Sequence, residues 1–127
     1  MAKNTVLTLK KKVNEGGKVT MVTSYDYTMA ALVEEAGIDM ILVGDSLGMT
    51  MMGYDSTLPV TMDDMVHHTR CVTRACNDTF VVGDMPFGSY QTDIPTAVAN
   101  AARLMKEGRC QAVKLEGGVT VCEQIRA

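Results

Sequence analysis

Short apolar runs alternate with amphipathic helical segments along this chain, and each apolar run ends at a carboxylate. Residues 8–15 read as a short basic helix closed by Gly16-Gly17. Residues 18–24 are rich in Val and Thr and read as a strand, with Asp26 beyond it as a helix N-cap. The helix predicted over 27–36 buries Ala30, Ala31, Leu32 and Val33, keeps Glu34 and Glu35 outside and stops at Gly37. Residues 40–43 are an unbroken apolar run, as in a strand covered on both faces, and Asp45 follows. Thr61 to Asp64 resembles a capping box, and Met65, Val66, Thr69 and Val72 give its helix a buried stripe. Residues 80–83 form the third run, ending in Asp84. Asp93 and Pro95 start a helix with the stripe Ala97, Val98, Ala101, Leu104 and Met105, stopped by Gly108. Residues 112–115 are the fourth strand, ending in Glu116-Gly117-Gly118, and 120–127 begin another helix.

This βα alternation demands a parallel sheet wrapped by helices. Two sheets satisfy it, a (β/α)8 barrel and a doubly wound open sheet. Carboxylates at successive strand ends favour the barrel, because a barrel gathers those ends at one mouth. A barrel needs about eight such units in about 250 residues, and this chain has 127. The expectation is therefore one domain over 1–127, holding about the first four βα units of an α/β barrel. The alternative is a complete four-stranded α/β domain.

Composition narrows the function. The net charge is -3, which leaves no basic footprint for nucleic acid or for an anionic membrane. No apolar stretch approaches the ~20 residues that span a bilayer. The start, MAKNTVLTLKKK, has no apolar signal core. The four cysteines form no CxxC and no zinc spacing, as expected of reduced thiols in a cytoplasmic protein. The eleven methionines are expected to fill gaps in cores and interfaces.

Several carboxylates around one mouth repel each other, and a divalent cation is the simplest compensation. Mg²⁺ is held by one or two carboxylates and keeps other positions for water and ligand. Asp45 and Asp84 end neighbouring strands and are the best pair. Lys114 and Glu116 lie two apart and share a strand face. Gly44 and Gly48 leave room for a ligand near the backbone, and Ser46 can offer its hydroxyl and N–H to an anionic oxygen. Other acids read as structural: Asp26 as a cap, and Asp55, Asp63 and Asp64 as loop or first-turn residues. His67 and His68 point about 100° apart on a helix, so they are poor co-ligands.

LVGDSLGM (42–49), STLPVT (56–61), DMPFGSY (84–90) and VKLEGG (113–118), with TSYDY (23–27), closely resemble ketopantoate hydroxymethyltransferases. The resemblance covers essentially the whole chain, in order and at similar spacing. It implies a (β/α)8 barrel, a Mg²⁺ site and a cytoplasmic homo-oligomer, typically a decamer. The implied reaction carries a hydroxymethyl group from 5,10-methylenetetrahydrofolate to 3-methyl-2-oxobutanoate, giving 2-dehydropantoate for pantothenate synthesis. By motif, Asp45 and Asp84 match metal ligands and Glu116 the third acidic residue beside the metal. Asp45, Ser46, Asp84 and Lys114 match the substrate-binding set.

The family's general base is a glutamate on a later strand, and a histidine near the substrate also comes from the second half. Residues 1–127 therefore carry no catalytic base on this reading and are expected to be inactive alone. Two other functions fit the residues. One is another Mg²⁺-dependent 2-oxo-acid barrel, of the phosphoenolpyruvate mutase/isocitrate lyase type, separable by folate dependence. The other is a non-catalytic half-barrel that binds a partner along its exposed edge, separable by co-purification of a larger chain.

Overall fold

A computed structural model describes residues 3–127, so the first two residues of the expected domain lie outside the described residues. The elements alternate as expected. Helix α1 (Val6–Asn14) precedes β1 (Met21–Thr23), α2 (Tyr27–Glu35), β2 (Met40–Val43), a short α3 (Leu47–Thr50) and α4 (Met62–Ala75). Then come β3 (Phe80–Asp84), α5 (Ile94–Arg103) with a π-helical extension (Leu104–Gly108), and β4 (Ala112–Lys114). A 3₁₀ turn (Gly118–Val121) leads into α6 (Cys122–Arg126). The four strands are all parallel and lie side by side in chain order, β1-β2-β3-β4. A doubly wound sheet reverses its strand order at a switch point; these four strands do not.

The register sorts the side chains. Met40, Leu42, Phe80, Val82 and Ala112 share one face, while Ile41, Val43, Val81 and Val113 share the other. The second face packs under α2, α4 and α5 with Ala30, Met65, Val72, Ala97 and Leu104. Ile41, Val43 and Val81 are fully buried there, each favoured by about 1.5–3 kcal/mol over exposure. On the first face Leu9 of α1 packs onto Phe80 and Val82. Beside it Lys12 Nζ donates to both oxygens of Asp39 at 2.7 Å, and Thr20 donates its N–H and hydroxyl to the same carboxylate. The Lys12 and Thr20 hydrogen bonds hold the Asp39 carboxyl below its usual range. They tie α1 to the strand entrances.

Caps fall where local chemistry puts them. Asp26 and Asp93 accept the N–H of Met29 and Thr96, and Thr61 and Asp64 close a reciprocal capping box. Other expectations need correction. Helix α1 begins at Val6 because Thr5 and Thr8 form their own capping box. Strand β1 is three residues long rather than seven, because only Met21–Thr23 pair with β2, against Met40–Leu42. Leu32, Val98 and Met105 are exposed, because their helices turn only a narrow stripe to the sheet. Glu34 is not a solvent-facing acid: its carboxylate accepts the N–H groups of Asn77, Asp78 and Thr79 and so ties α2 to the approach to β3. Gly108 ends its helix for lack of space rather than for freedom of φ. A Cβ there would sit 3.0 Å from Thr69 Cγ2, and the left-handed residue is Arg109, at φ 66°.

Candidate active site at the strand ends

Beyond β2 the chain turns at Gly44 and winds into α3. Parallel pairing sets Val43 beside Gly83, so Asp84 stands next to the Gly44–Asp45 turn. The Asp45 N–H donates to Asp84 Oδ2 at 3.2 Å. Across β3, Asp84 pairs in register with Lys114, whose Nζ donates to the same Oδ2 at 2.6 Å. Lys114 Nζ also lies 3.0 Å from Glu116 Oε1, so the two share a side of the chain although β4 itself stops at Lys114. Asp84 is 5% exposed, Lys114 33% and Glu116 73%, so the cluster runs from buried to open.

A pocket of about 310 Å³ opens over this cluster, lined by Asp45, Thr57, Leu58, Asp84, Phe87, Tyr90 and Glu116 among others. A larger groove of about 630 Å³ lies beside β4 among Val98, Met105, Val113 and Ile125. Lys114 reaches its lining but no acidic side chain does, so the carboxylates belong to the smaller pocket.

Ser46 stands beside the cluster, with its Oγ 2.8 Å from the Tyr25 hydroxyl. The two glycines play different parts. A Cβ on Gly44 would meet Ser46 Oγ at 3.1 Å and Asp84 Oδ2 at 3.8 Å, so glycine keeps that polar corner clear. At Gly48 the expected ligand space is taken by the protein, because Val60 and Tyr54 press onto the bare Cα. Gly48→Ala should therefore destabilise by about 1–3 kcal/mol through overpacking, read as a fall in the urea midpoint at unchanged slope.

Two tyrosines missed in the sequence hold the site in place. Tyr25 holds Ser46. Tyr90, 4% exposed, donates its hydroxyl to the Glu116 carbonyl and accepts the Glu116 N–H, both at 3.1 Å. Both contacts join residues more than twenty apart, so no local pattern signals them. His67 is exposed, whereas His68 gives its Nδ1 to the Tyr25 carbonyl at 2.7 Å. They share no ligand position.

Burial and then the charge of Asp84 push the Asp45 carboxyl above its usual range; Lys114 opposes the shift and Glu116 adds to it. Burial works against the charge of Lys114, but its hydrogen bonds to Asp84 and Glu116 win and raise its pKa. A carboxyl raised by folding binds its proton more tightly in the folded chain. Its stabilising effect is full when protonated and is lost as pH rises through the folded value, so ionised Asp45 opposes folding. In the metal-free protein Asp45→Asn should raise the melting temperature at pH 7, by a small amount because water screens this partly exposed group. The gain should shrink as pH falls towards the ordinary carboxylate range, which thermal unfolding across pH would read.

Among the described residues, no three His, Cys, Asp or Glu side chains close on one point as a metal cage does. A hard cation such as Mg²⁺ needs only one or two carboxylates, and Asp45 and Asp84 offer two. Asp84 stands close enough to Asp45 to add to the rise that burial imposes on its carboxyl. The donor set therefore fits a divalent cation on two carboxylates, with Glu116 at the rim. The four cysteines are free thiols, and no helix among the described residues is long and apolar enough to cross a membrane.

The solved structures this chain resembles are barrel enzymes. Against a phosphoenolpyruvate phosphomutase from Streptomyces platensis subsp. rosaceus the TM-score is 0.67 at 18% identity, covering 84% of this chain and 36% of that one. Against 2,3-dimethylmalate lyase, a PEP mutase/isocitrate lyase superfamily member, it is 0.66 at 16%, covering 91% and 41%. At such identity the likeness establishes the fold alone, a partial (β/α)8 barrel. Two curated relatives bear the name 3-methyl-2-oxobutanoate hydroxymethyltransferase. That of Clostridium novyi (strain NT) is 62% identical over 125 residues, 98% of this chain and 46% of the relative. That of Desulfotalea psychrophila (strain LSv54 / DSM 12343) is 63% identical over 112 residues, 88% and 40%. The chain thus spans about half the length of the curated relatives it matches. The family model for ketopantoate hydroxymethyltransferase matches residues 3–127, strand-end cluster included, and this chain belongs to that family.

Proposed function

We propose that the native protein carrying these residues transfers a hydroxymethyl group from 5,10-methylenetetrahydrofolate to 3-methyl-2-oxobutanoate, giving 2-dehydropantoate for pantothenate synthesis. One observation carries the reading: in a chain of this family, Asp45, Asp84 and Glu116 line one pocket, with Lys114 ion-paired to Asp84 and Glu116 and Ser46 next to Asp45 in the chain.

Asp45 and Asp84 would hold Mg²⁺, with Glu116 acting from the rim. Bound there, Mg²⁺ would supply Lewis acidity to the keto oxygen of a 2-oxo acid and make the C3 proton easier to remove. Ser46 donates to an oxygen of the substrate carboxylate. Lys114, already an ammonium between two carboxylates, turns towards the negative charge that develops on the keto oxygen as C3 loses its proton. The one-carbon methylene exchanges one of its two bonds to folate nitrogen for a bond to C3 and the other for the oxygen of water; the C3 proton and a water proton pass to the two nitrogens, and tetrahydrofolate leaves. The base that takes the C3 proton lies outside residues 1–127 on this reading, so these residues alone bind but do not turn over. The protein acts in the cytoplasm as a homo-oligomer, the decamer expected of the family.

The test is consumption of 3-methyl-2-oxobutanoate by the native protein with and without the folate. Turnover only with the folate supports transfer. Cleavage or rearrangement of a 2-oxo acid without it would move the protein to the lyase or mutase chemistry of its structural neighbours.

A further inference from the structure

We propose that Tyr25 is a positioning residue that makes the Ser46 hydroxyl a committed donor to the substrate's carboxylate. The inference deepens the proposed 2-oxo-acid reading and rests on it. Tyr25 lies just past β1, half-buried against the main core, and its hydroxyl is 2.8 Å from Ser46 Oγ. Its backbone is fixed from two sides. The Tyr25 carbonyl takes a 2.7 Å hydrogen bond from His68 Nδ1 on α4, and a carbonyl only accepts, so that nitrogen carries the proton. The neighbouring Asp26 caps α2.

Ser46 is the residue that opens α3, yet its side chain makes no capping bond. Its hydroxyl is therefore not spent on the helix. A serine hydroxyl has one proton and two lone pairs. Left alone beside Asp45 and Asp84, it would turn its proton to the nearest carboxylate or to water. Either hydroxyl can donate at this distance; with the phenol, the stronger acid of the pair, as donor, Ser46 accepts. That leaves the serine proton directed away from Tyr25, towards the pocket. A donor set in advance loses less freedom when an anionic oxygen arrives. Gly44 contributes by leaving the Ser46 oxygen uncrowded.

The experiment compares Tyr25→Phe, Ser46→Ala and the double variant in the native protein, reading KM for the 2-oxo acid, kcat and the melting temperature. Tyr25→Phe should raise KM about 5- to 10-fold, the worth of one net hydrogen bond, with kcat and melting temperature nearly unchanged. In the Ser46→Ala background the same change should do nothing more. If Ser46→Ala raises KM but Tyr25→Phe does not, or if their effects multiply, the positioning role is overturned while the site reading stands. If Ser46→Ala leaves KM unchanged, the assignment of Ser46 itself falls, and this inference with it.

Discussion

Asp84→Ala should abolish turnover in the native protein, with a loss of at least about 10³-fold in kcat/KM. Asp84 is the most buried of the three carboxylates and the joint of the cluster. One of its oxygens accepts both the Asp45 N–H and the Lys114 ammonium. Removing it takes away half of the proposed carboxylate pair and the partner that fixes Lys114. Lewis-acid stabilisation of developing charge is worth several kcal/mol, and ~4 kcal/mol is about 10³-fold in rate. Asp84→Ala also leaves the Asp45 N–H without its acceptor, so Asp84→Asn is the better variant. Its amide oxygen can still accept the Asp45 N–H, and folding should survive while activity is lost. Retained activity in Asp84→Asn, checked by steady-state assay, would remove Asp84 from the chemistry.

Lys114→Met should lower kcat by about 10²–10³-fold, the usual loss for one donor to a developing oxyanion, and raise KM much less. Methionine keeps the length and the apolar stem and removes only the charge. The ammonium matters most when the keto oxygen becomes negative, so the effect belongs in kcat. A rise in KM alone would make Lys114 a uniform binding group instead. With the ammonium gone, Asp45 also loses the one charge that pulls its pKa down. Proton competition with a cation at Asp45 should then reach to higher pH.

What was legible in the sequence was local. Asp26, Thr61 and Asp93 announced their helices because a cap acts within three residues. The apolar runs ending at Val43 and Gly83 marked β2 and β3 because they are packed on both sides. The pair Asp45–Asp84 followed from their places at the ends of adjacent parallel strands, and Lys114 with Glu116 from a two-residue spacing. The missed features were long-range or steric. Glu34 reaches forty-odd residues along the chain to the N–H groups before β3. Tyr25 and Tyr90 act through hydroxyls that any tyrosine in a core would also possess. Gly48 and Gly108 looked like backbone features, and only the side chains of Val60, Tyr54 and Thr69 show them to be packing contacts. Apolar spacing gave the helical face correctly but not its width, which is why Val98 and Met105 were placed inside.

On the proposed function, the strand-end cluster is expected to bind a 2-oxo acid on a divalent cation. Titration calorimetry of 3-methyl-2-oxobutanoate into the native protein, with Mg²⁺ and after chelation, tests it most directly. Binding is expected with Mg²⁺ and none measurable without it. Equal affinity in both conditions would contradict it, leaving Asp45 and Asp84 with only the structural contacts seen here.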